Sequence, residues 1–357
     1  MTSRRRSLTV FFATLSLATA ALMSYGSPAP QTGSQTAGAP KAAIKLVIFN
    51  EGRPGLLTDR GVVDVSALVR PLGGHDAMQA IITRYDELKP QLAKLAAEGP
   101  AKPLSSVTFK APVPRAKLLA MGGNFREFGA RQPAPMWGFI KSTDSILGSG
   151  GTVVLPEIDA NIFHHEAELV VVFGKACSNV PADKAMDCVF GFTQGVDVSA
   201  RMPPNPNATG GGRDITKMVL SAGKSHNGFS PIGPAIVPKD EVGDPQKLDI
   251  KLWVNGELRP NYNMSDAAHS IAESIAWALA ITPVQAGDVL FMGTNHQGLG
   301  AMQDGDKVEL ETSKIGRLTV MVADPLKRRW PRGVDEATAE GVRNGTGAPG
   351  SKSRPLK

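Results

Sequence analysis

Three carboxylates have a spacing that could bring their side chains together. Glu166 and Glu168 lie two positions apart in an apolar run that ends at Gly174, which predicts a β-strand. Because side chains alternate along a strand, positions i and i+2 share a face. Asp197 follows 29 positions after Glu168, at the end of a second apolar run. Three converging carboxylates predict a site for a hard divalent cation, Mg²⁺ or Mn²⁺, with coordination positions left open for water and substrate.

The ordinary alternative for this pattern is a solvated strand face, which is how Glu-x-Glu most often occurs. The surroundings of the two glutamates favour a buried site instead, since Val170 and Val172 continue the same face. A buried pair of like charges is costly without a counter-ion. The pattern therefore indicates a metal site more strongly than its spacing alone would.

The charge of the chain excludes one class of function. Its net charge of +6 comes from its two ends: residues 1–40 hold three arginines and no acid, and residues 325–357 carry +5. Residues 41–324 are left with a net charge of −2. Aromatic residues make up only 6% of the chain. A basic or stacking surface for nucleic acid is therefore not expected.

Residues 1–40 have the composition of an export signal followed by a linker. Three arginines precede an apolar stretch of 16 residues, and a segment rich in Pro, Gly, Ser and Ala follows it. The arginines loosely resemble a twin-arginine signal, which predicts a periplasmic or secreted protein. An uncleaved membrane anchor is the alternative. In an oxidising compartment Cys177 and Cys188 could form a disulfide, and we expect one that pins the connection between the two carboxylate-bearing segments.

The remaining pattern predicts the elements that must position these residues. Short strands and an amphipathic helix over residues 76–97 predict a small N-terminal α+β domain over residues 42–112. Apolar segments bounded by Gly and Pro predict a larger β-rich domain over residues 113–324, with one clear helix over residues 267–281. Residues 325–357 lack periodicity and are predicted to be a disordered basic tail.

Seven sequence blocks together resemble the fumarylacetoacetate hydrolase family, in its short bacterial form with a small N-terminal domain. The blocks occur in the family's order: GNFR at 123–126, FIK at 139–141, HEAEL at 165–169, DVSAR at 197–201, GKS at 223–225 with PIGP at 231–234, VNGE at 254–257, and GD at 287–288 followed by GT at 293–294. The resemblance implies an α+β, β-rich fold built on a mixed, rolled β-sandwich, and a homodimer.

The resemblance also implies roles for single residues. Glu166, Glu168 and Asp197 would be the ligands of Mg²⁺ or Mn²⁺, in agreement with their spacing. Lys224 resembles the family's active-site lysine, and Thr294 would offer its hydroxyl or amide to a substrate carboxylate.

Two further residues carry weaker implications. Arg201 and Lys141 would also bind substrate, although for Lys141 a structural salt bridge is an equal alternative. Family members cleave acylpyruvates and related diketo acids, decarboxylate oxaloacetate or isomerise unsaturated diacids. The metal stabilises the enolate that these reactions share.

The chain departs from the family where hydrolytic members carry a water-activating His and a Glu three positions later. Those positions hold Phe128 and Arg131, and a Phe cannot accept a proton. Residues 202–213, rich in Pro and Gly, also differ and suggest a distinctive lid. His296 stands where the family often has Pro or Ala; it either approaches the substrate or caps a turn.

Three functions then compete. The first is a hydrolase whose base is Glu127 or His226. The second is a decarboxylase, lyase or isomerase, which needs no activated water. The third is a catalytically silent metal- or ligand-binding protein, which the retained candidate site residues disfavour. His164 and His165 are predicted to have structural or supporting roles rather than to bind metal, because alternation turns His165 to the opposite face.

Overall fold

The structure is a computed structural model that describes residues 43–70, 76–203 and 223–356, apart from the side chain of Pro260. The described residues belong to a single compact unit. The predicted export signal lies outside them, as does most of the predicted lid. Within these ranges no helix has the length and apolar character needed to cross a bilayer.

The first part of the unit contains five short strands and three helices. The strands are β1 (Leu46–Phe49), β2 (Arg53–Thr58), β3 (Gly61–Asp64), β4 (Ala101–Lys102) and β5 (Phe109–Lys110). The helices are α1 (Ser66–Val69), α2 (Ala77–Thr83) and α3 (Tyr85–Glu98). The single helix expected over residues 76–97 is therefore two helices, interrupted at Arg84, whose backbone leaves helical geometry at φ −120° and ψ 23°.

The remainder is dominated by strands, as the sequence predicts. These are β6 (Leu118–Gly122), β7 (Trp137–Lys141), β8 (Ile146–Leu147), β9 (Thr152–Val154), β10 (Ile162–Phe173), β11 (Val189–Arg201), β12 (Ser230–Pro231), β13 (Ala235–Pro238), β14 (Asp249–Val254), β15 (Glu257–Asn263), β16 (Val289–Phe291), β17 (Lys307–Thr312) and β18 (Gly316–Ala323). The helices are α4 (Ala182–Ala185), α5 (Lys239–Val242), α6 (Ile271–Ile281) and α7 (Glu336–Arg343).

Helix α6 begins four residues later than the sequence pattern suggests. The Ser270 side chain accepts a hydrogen bond from the backbone of Glu273, and the Glu273 side chain accepts one from the backbone of Ser270. This capping box satisfies two backbone N–H groups at the start of the helix. The cap fixes the boundary more firmly than the apolar periodicity does.

Most strands form one large mixed sheet in the order β4-β3-β2-β1-β13-β11-β10-β16-β6-β7, with β5 on β1. A second sheet has the order β15-β14-β17-β18-β9. The strands of the predicted N-terminal domain therefore share a hydrogen-bonded sheet with later strands, because β1 pairs with β13. A domain boundary near residue 112 stays a prediction.

Strands β10 and β11 form the centre of the large sheet and are its longest members. Every residue of β10 is buried, as is all of β11 except Arg201. Their continuous burial explains the apolar runs at the Phe173 end of β10 and the Val189 end of β11, and it makes the buried polar side chains between them exceptional. The carboxylates on these two strands are consequently held in a rigid, water-poor part of the molecule.

The expectation of a disordered tail was wrong for residues 325–356. Trp330 is 2% exposed and donates from Nε1 to the backbone oxygen of Asn161 at 2.7 Å. Arg328 pairs with Asp324 and also donates to the backbone oxygens of Pro156 and Ile158. The segment also contains α7, whose buried residues Thr338, Ala339, Gly341 and Val342 are small, and other anchors are irregularly spaced, so no run of large apolar residues reveals its order.

Candidate active site

The register of β10 and β11 brings the three carboxylates together. Glu166 pairs directly with Asp197 across the two strands, and Glu168 pairs with Gly195. Directly opposed residues share a face, and so do residues two apart on one strand. The three side chains are 1–3% exposed, and each offers an oxygen within 4.8 Å of the others. The convergence predicted from spacing is confirmed.

Three cations, Lys141, Arg201 and Lys224, surround this carboxylate triad, defined as Glu166, Glu168 and Asp197. Lys224 lies between two of its members: its Nζ donates to Asp197 Oδ2 at 2.5 Å and also bonds Glu166 Oε2. The Arg201 guanidinium pairs with Glu166 Oε1. The third carboxylate differs, since the bond recorded for Glu168 comes from the backbone N–H of Gly293 at 2.6 Å.

The unequal distribution of cations separates the protonation behaviour of the two glutamates. Burial raises the pKa of Glu168 well above its usual value, and the charges of Asp197 and Glu166 raise it further. Burial also acts to raise the pKa of Glu166, but Arg201 and Lys224 outweigh it and the pKa is lowered. Glu168 is thus the triad member in greatest need of a further positive charge.

The triad fits a hard divalent cation. All three donors are carboxylate oxygens, the donor type that Mg²⁺ and Mn²⁺ prefer. They are buried and mutually repelling, and Lys224 already supplies positive charge between two of them. A cation held by Glu166, Glu168 and Asp197 would balance the charge of Glu168 as well.

Lys141 has the structural role that the sequence left open, not the substrate contact. Its side chain is fully buried, and its Nζ donates to Asp197 Oδ1 at 2.5 Å and to the backbone oxygen of Phe229 at 2.7 Å. Burial lowers the pKa of Lys141, although Asp197 opposes the effect. Lys141 is not among the described residues that line the cavity of the site. The assignment as a substrate ligand is therefore corrected to that of an ion-pair partner of Asp197.

Glu127 has an imidazole partner that the sequence analysis did not assign to it. Its side chain is fully buried; Oε1 lies 2.6 Å from Nδ1 of His296, and Oε2 accepts from the His296 backbone N–H at 2.8 Å. The other ring nitrogen of His296, Nε2, is 3.8 Å from Glu166 Oε1. The pair links the loop after β6 to the triad. Its sequence signals were separate: Glu127 as a candidate base, and His296 at a position where the family often has Pro or Ala.

The loop that carries Glu127 has an unusual backbone. Glu127 and Phe128 both have a φ of 55°, a region that few residues other than glycine adopt. Asp266 holds the loop by accepting from the Phe128 N–H at 3.1 Å, and it also accepts from the Asn295 side chain at 2.8 Å. Phe128 itself is 60% exposed. The strained turn therefore directs Glu127 inward and Phe128 outward.

The other histidines have supporting positions. His226 packs its ring against Phe229 with centroids 5.1 Å apart, and it is not among the described cavity-lining residues. Nε2 of His164 lies 3.0 Å from Asp335, and Nδ1 accepts from Arg201 at 3.2 Å. His165 is fully buried. The two histidines before Glu166 thus lie within the protein around the site, as expected.

The site opens into a cavity of about 740 Å³. The lining residues include two triad members, Glu166 and Glu168, and the three predicted residues Arg201, Lys224 and Thr294. Further lining comes from the aromatic side chains of β7, Arg131, His296 and residues 348–351. Lys224 Nζ lies 5.2 Å from the centre of the Phe139 ring. Cationic, hydroxyl and aromatic groups around a carboxylate cluster suit a small anionic ligand.

The expected disulfide between Cys177 and Cys188 is confirmed. It closes the segment between β10 and β11, which contains α4. The bridge therefore ties together the ends of the two strands that carry the triad. Both strand ends remain close even though the segment between them leaves the sheet.

Comparison with known proteins places residues 116–323 in the family described as fumarylacetoacetate (FAA) hydrolase C-terminal. The maleylpyruvate hydrolase of Aquipseudomonas alcaligenes is 29% identical over 303 residues, covering 78% of this chain and 99% of that protein. The mitochondrial oxaloacetate tautomerase Fahd2a of Rattus norvegicus is 34% identical over 234 residues, covering 62% of this chain and 71% of that protein.

A solved structure shows the same likeness in three dimensions. The maleylpyruvate hydrolase from Sphingobium sp. SYK-6, in complex with manganese(II) ion and pyruvate, is 30% identical with a TM-score of 0.66. The match covers 79% of this chain and 99% of that one. The similarity thus includes the strands that carry all three carboxylates.

Proposed function

The chain belongs to the fumarylacetoacetate hydrolase family, and from that membership we propose that it breaks a C–C bond in an acylpyruvate-type diketo acid with the help of a divalent metal. The observation that carries the proposal is the buried triad, whose oxygens lie within 4.8 Å of one another beside the Lys224 ammonium. Burying three carboxylates costs desolvation energy, which makes such a cluster a poor way to stabilise a fold. A metal bound there for catalysis would explain why the cluster is present.

A divalent cation held by Glu166, Glu168 and Asp197 would supply Lewis-acid stabilisation to the oxygens of a 2-oxo acid. The all-oxygen donor set favours Mg²⁺ or Mn²⁺. The Sphingobium relative, described in complex with manganese(II) and pyruvate, supports pairing such a cation with a small 2-oxo acid here.

The cavity-lining side chains have the chemistry to orient that acid. Lys224 and Arg201 provide positive charge for a carboxylate and for the negative charge that develops on the enolate. Thr294 provides a hydroxyl. Arg131 lines the same cavity, and no ion pair is recorded for it among the described residues. A guanidinium that has no ion pair with the described residues favours a substrate with a second carboxylate, as bidentate Arg–carboxylate pairs are strong.

His296 is the base that we propose in place of the missing family histidine. Glu127 accepts from Nδ1 when the proton is on that nitrogen, which leaves Nε2, on the side of Glu166, able to accept a proton. In hydrolysis, Nε2 takes a proton from water as the water oxygen attacks the acyl carbonyl carbon. The C–C bond then breaks, its electron pair remains on the pyruvate fragment as an enolate, and a proton returns to that carbon.

A keto–enol tautomerase or isomerase is the second candidate. The same His296 can move a proton between carbon and oxygen without any water, so its position serves this reaction equally well. The resemblance to the rat oxaloacetate tautomerase supports keeping it. The two candidates differ in whether a C–C bond is broken.

One panel of assays tests the proposal. The purified protein is given Mg²⁺ or Mn²⁺ and then acylpyruvates, oxaloacetate or an unsaturated hydroxy-diacid, while enol absorbance and products are followed. We expect turnover that needs the metal, with C–C cleavage products from an acylpyruvate. Enol loss without cleavage products would favour the tautomerase. Absence of bound divalent ion together with full activity of Glu166→Gln would refute the metal site.

We also propose that the protein works outside the cytoplasm. The composition of residues 1–40 supports this, and a Cys177–Cys188 disulfide suits an oxidising compartment. Fractionation of the native host should recover the protein in the periplasm or medium without its first residues. Recovery of the full-length chain in the cytoplasm, with both thiols free, would contradict the proposal.

A further inference from the structure

The C-terminal segment, residues 325–356, lies beyond the part of the chain that matches the family, yet it reaches the active-site cavity. The family match ends at residue 323, and residues 348–351 line the cavity. The segment is anchored along its length: Trp330 is buried, and the backbone N–H of Asp335 donates to the oxygen of Leu299 at 2.7 Å. Its approach to the cavity is therefore part of the fold.

Two contact routes lead from Asp335 to Arg201. On the first, Asp335 Oδ2 lies 3.0 Å from Nε2 of His164, and Nδ1 of His164 accepts from Nε of Arg201 at 3.2 Å. The guanidinium of Arg201 then pairs with Glu166. Because the neutral imidazole must accept from Arg201 at Nδ1, its proton is on Nε2 and points at Asp335. Asp335 thus fixes the tautomer that can hold Arg201.

The second route passes through Gly350. The hydroxyl of Thr338 donates to Asp335 at 2.6 Å and accepts from the N–H of Gly350 at 2.7 Å. The Asn161 side chain donates to the Gly350 oxygen at 3.2 Å. Gly350 is held so close to Arg201 that an added Cβ would lie 2.4 Å from Cγ of Arg201. The backbone at Gly350 therefore fixes the aliphatic part of the arginine.

We infer that the C-terminal segment is a working part of the active site, in which Asp335 and Gly350 act as positioning residues for Arg201. This inference rests on the proposed function, in which Arg201 binds the substrate carboxylate. The His164 contact holds the guanidinium end, and Gly350 holds the stem. Arg201 keeps a single orientation before the substrate arrives, so less conformational entropy is lost when it binds.

A matched pair of glycine substitutions tests the inference. Gly350→Ala places a methyl group against Arg201, whereas Gly345→Ala adds the same group with no heavy atom within 4 Å. Both glycines have positive φ, 70° and 63°, so both variants carry a similar backbone cost. The difference between them reports the contacts of the added methyl group, which are with Arg201 at 2.4 and 2.8 Å and with Cγ2 of Ile162 at 2.8 Å.

We expect Gly350→Ala to raise KM for the 2-oxo acid about tenfold, the usual effect of losing one charge-assisted contact, with a smaller change in kcat. Gly345→Ala should keep both constants. Asp335→Asn, which retains the size of the side chain, should also raise KM, because its amide can donate to Nε2 of His164 and so permits the tautomer whose protonated Nδ1 cannot accept from Arg201. A merely structural segment would lower the melting temperature of Gly350→Ala and Gly345→Ala alike and leave KM unchanged.

Crystal structures of the two glycine variants without substrate give a readout that does not need activity. Arg201 should leave Glu166 in Gly350→Ala and stay in place in Gly345→Ala. The inference is overturned if the active variants Gly350→Ala and Gly345→Ala have equal KM values and Arg201 stays in place in both. Absence of turnover by the unmodified protein counts against the proposed function instead, and the crystal comparison then decides the inference alone.

Discussion

At the residue scale, the charge environment of Glu168 distinguishes it from its two neighbours. Lys224 and Arg201 neutralise Glu166, and Lys224 and Lys141 neutralise Asp197, while Glu168 receives a backbone N–H. Burial and the two neighbouring carboxylates raise its pKa. The metal proposed for the triad would supply the positive charge that Glu168 lacks.

Glu168→Gln should therefore separate metal binding from stability. The amide keeps the shape, removes a buried repulsive charge and leaves a poor metal ligand, so we expect Mn²⁺ affinity to fall by at least about 100-fold without loss of thermal stability in metal-free buffer. Titration calorimetry with Mn²⁺ and thermal melting give the two readouts. Glu311→Gln, on an exposed strand position, is the control and should change neither. Unchanged Mn²⁺ affinity in Glu168→Gln would contradict the ligand assignment.

The pairing of His296 with Glu127 leads to a second prediction at this scale. His296→Ala should lower kcat by about 10²- to 10⁴-fold, the usual range for loss of an acid–base group, with a smaller effect on KM. Glu127→Gln should lower kcat less, because the ring remains and only its orientation and charge stabilisation are weakened. Steady-state assays on the best substrate of the panel measure both constants.

His226, the other histidine considered as a base, provides the control for His296→Ala. His226→Ala should keep most of kcat, since His226 packs on Phe229 and is not among the described cavity-lining residues. Loss of activity in His226→Ala with retention in His296→Ala would reverse the assignment.

At the scale of elements, β10 and β11 are joined both by their backbone hydrogen bonds and by the disulfide in the segment between them. The strands pair over 12 positions, from Ile162 opposite Arg201 to Phe173 opposite Val189, with one irregularity near the end. The disulfide joins Cys177 and Cys188, 11 residues apart, in the segment between them. The bridge restricts the unfolded chain, while the hydrogen-bonded register keeps Glu166 opposite Asp197.

Replacing both cysteines by serine should consequently lower stability rather than catalysis. For a loop of this length we expect the free energy of unfolding to fall by about 3 kcal/mol, as measured by denaturant titration. Metal binding by the folded variant should persist. Dithiothreitol should destabilise the unmodified protein by a similar amount and leave the double variant unaffected; equal sensitivity of both proteins would show that the bridge does not contribute.

At the scale of the whole molecule, the C-terminal segment is integrated with the core. Trp330 packs edge-on against Phe163 of β10 with ring centroids 6.0 Å apart, and its indole N–H bonds the backbone of Asn161. Strand β10 also carries two triad members. Order in the segment is therefore linked to order next to the site.

Trp330→Ala should test this integration. We expect a loss of about 3–5 kcal/mol in the free energy of unfolding, because a large buried aromatic side chain leaves a cavity. Leu356→Ala is the matched control in the same segment, since Leu356 is 57% exposed, and it should change stability little. Equal, negligible effects in both variants would restore the idea of a disordered tail. The expected homodimer is a separate prediction, which light scattering of the purified protein can test.

Much of the site could be predicted from the sequence because its geometry is local. The alternation of a strand fixes the relation of Glu166 to Glu168, and the apolar runs on both sides predict their burial. Spacing pointed to Asp197 as well, and the ordered blocks predicted the family and hence Lys224 and Thr294. Two cysteines in one short segment left a single intramolecular pairing. Each of these inferences needs only a short stretch of chain or a recognised pattern.

The tertiary structure alone decided the contacts between segments that no local pattern connects. Glu127 meets His296 across 169 positions, and Asp335 meets His164 across 171. Such contacts depend on the paths of loops, which strained turns, caps and scattered anchors determine without any repeating signal. For the same reason the sequence could not choose between two roles for Lys141. The sequence thus determined the chemistry at the centre of the site, and the fold determined which distant residues support it.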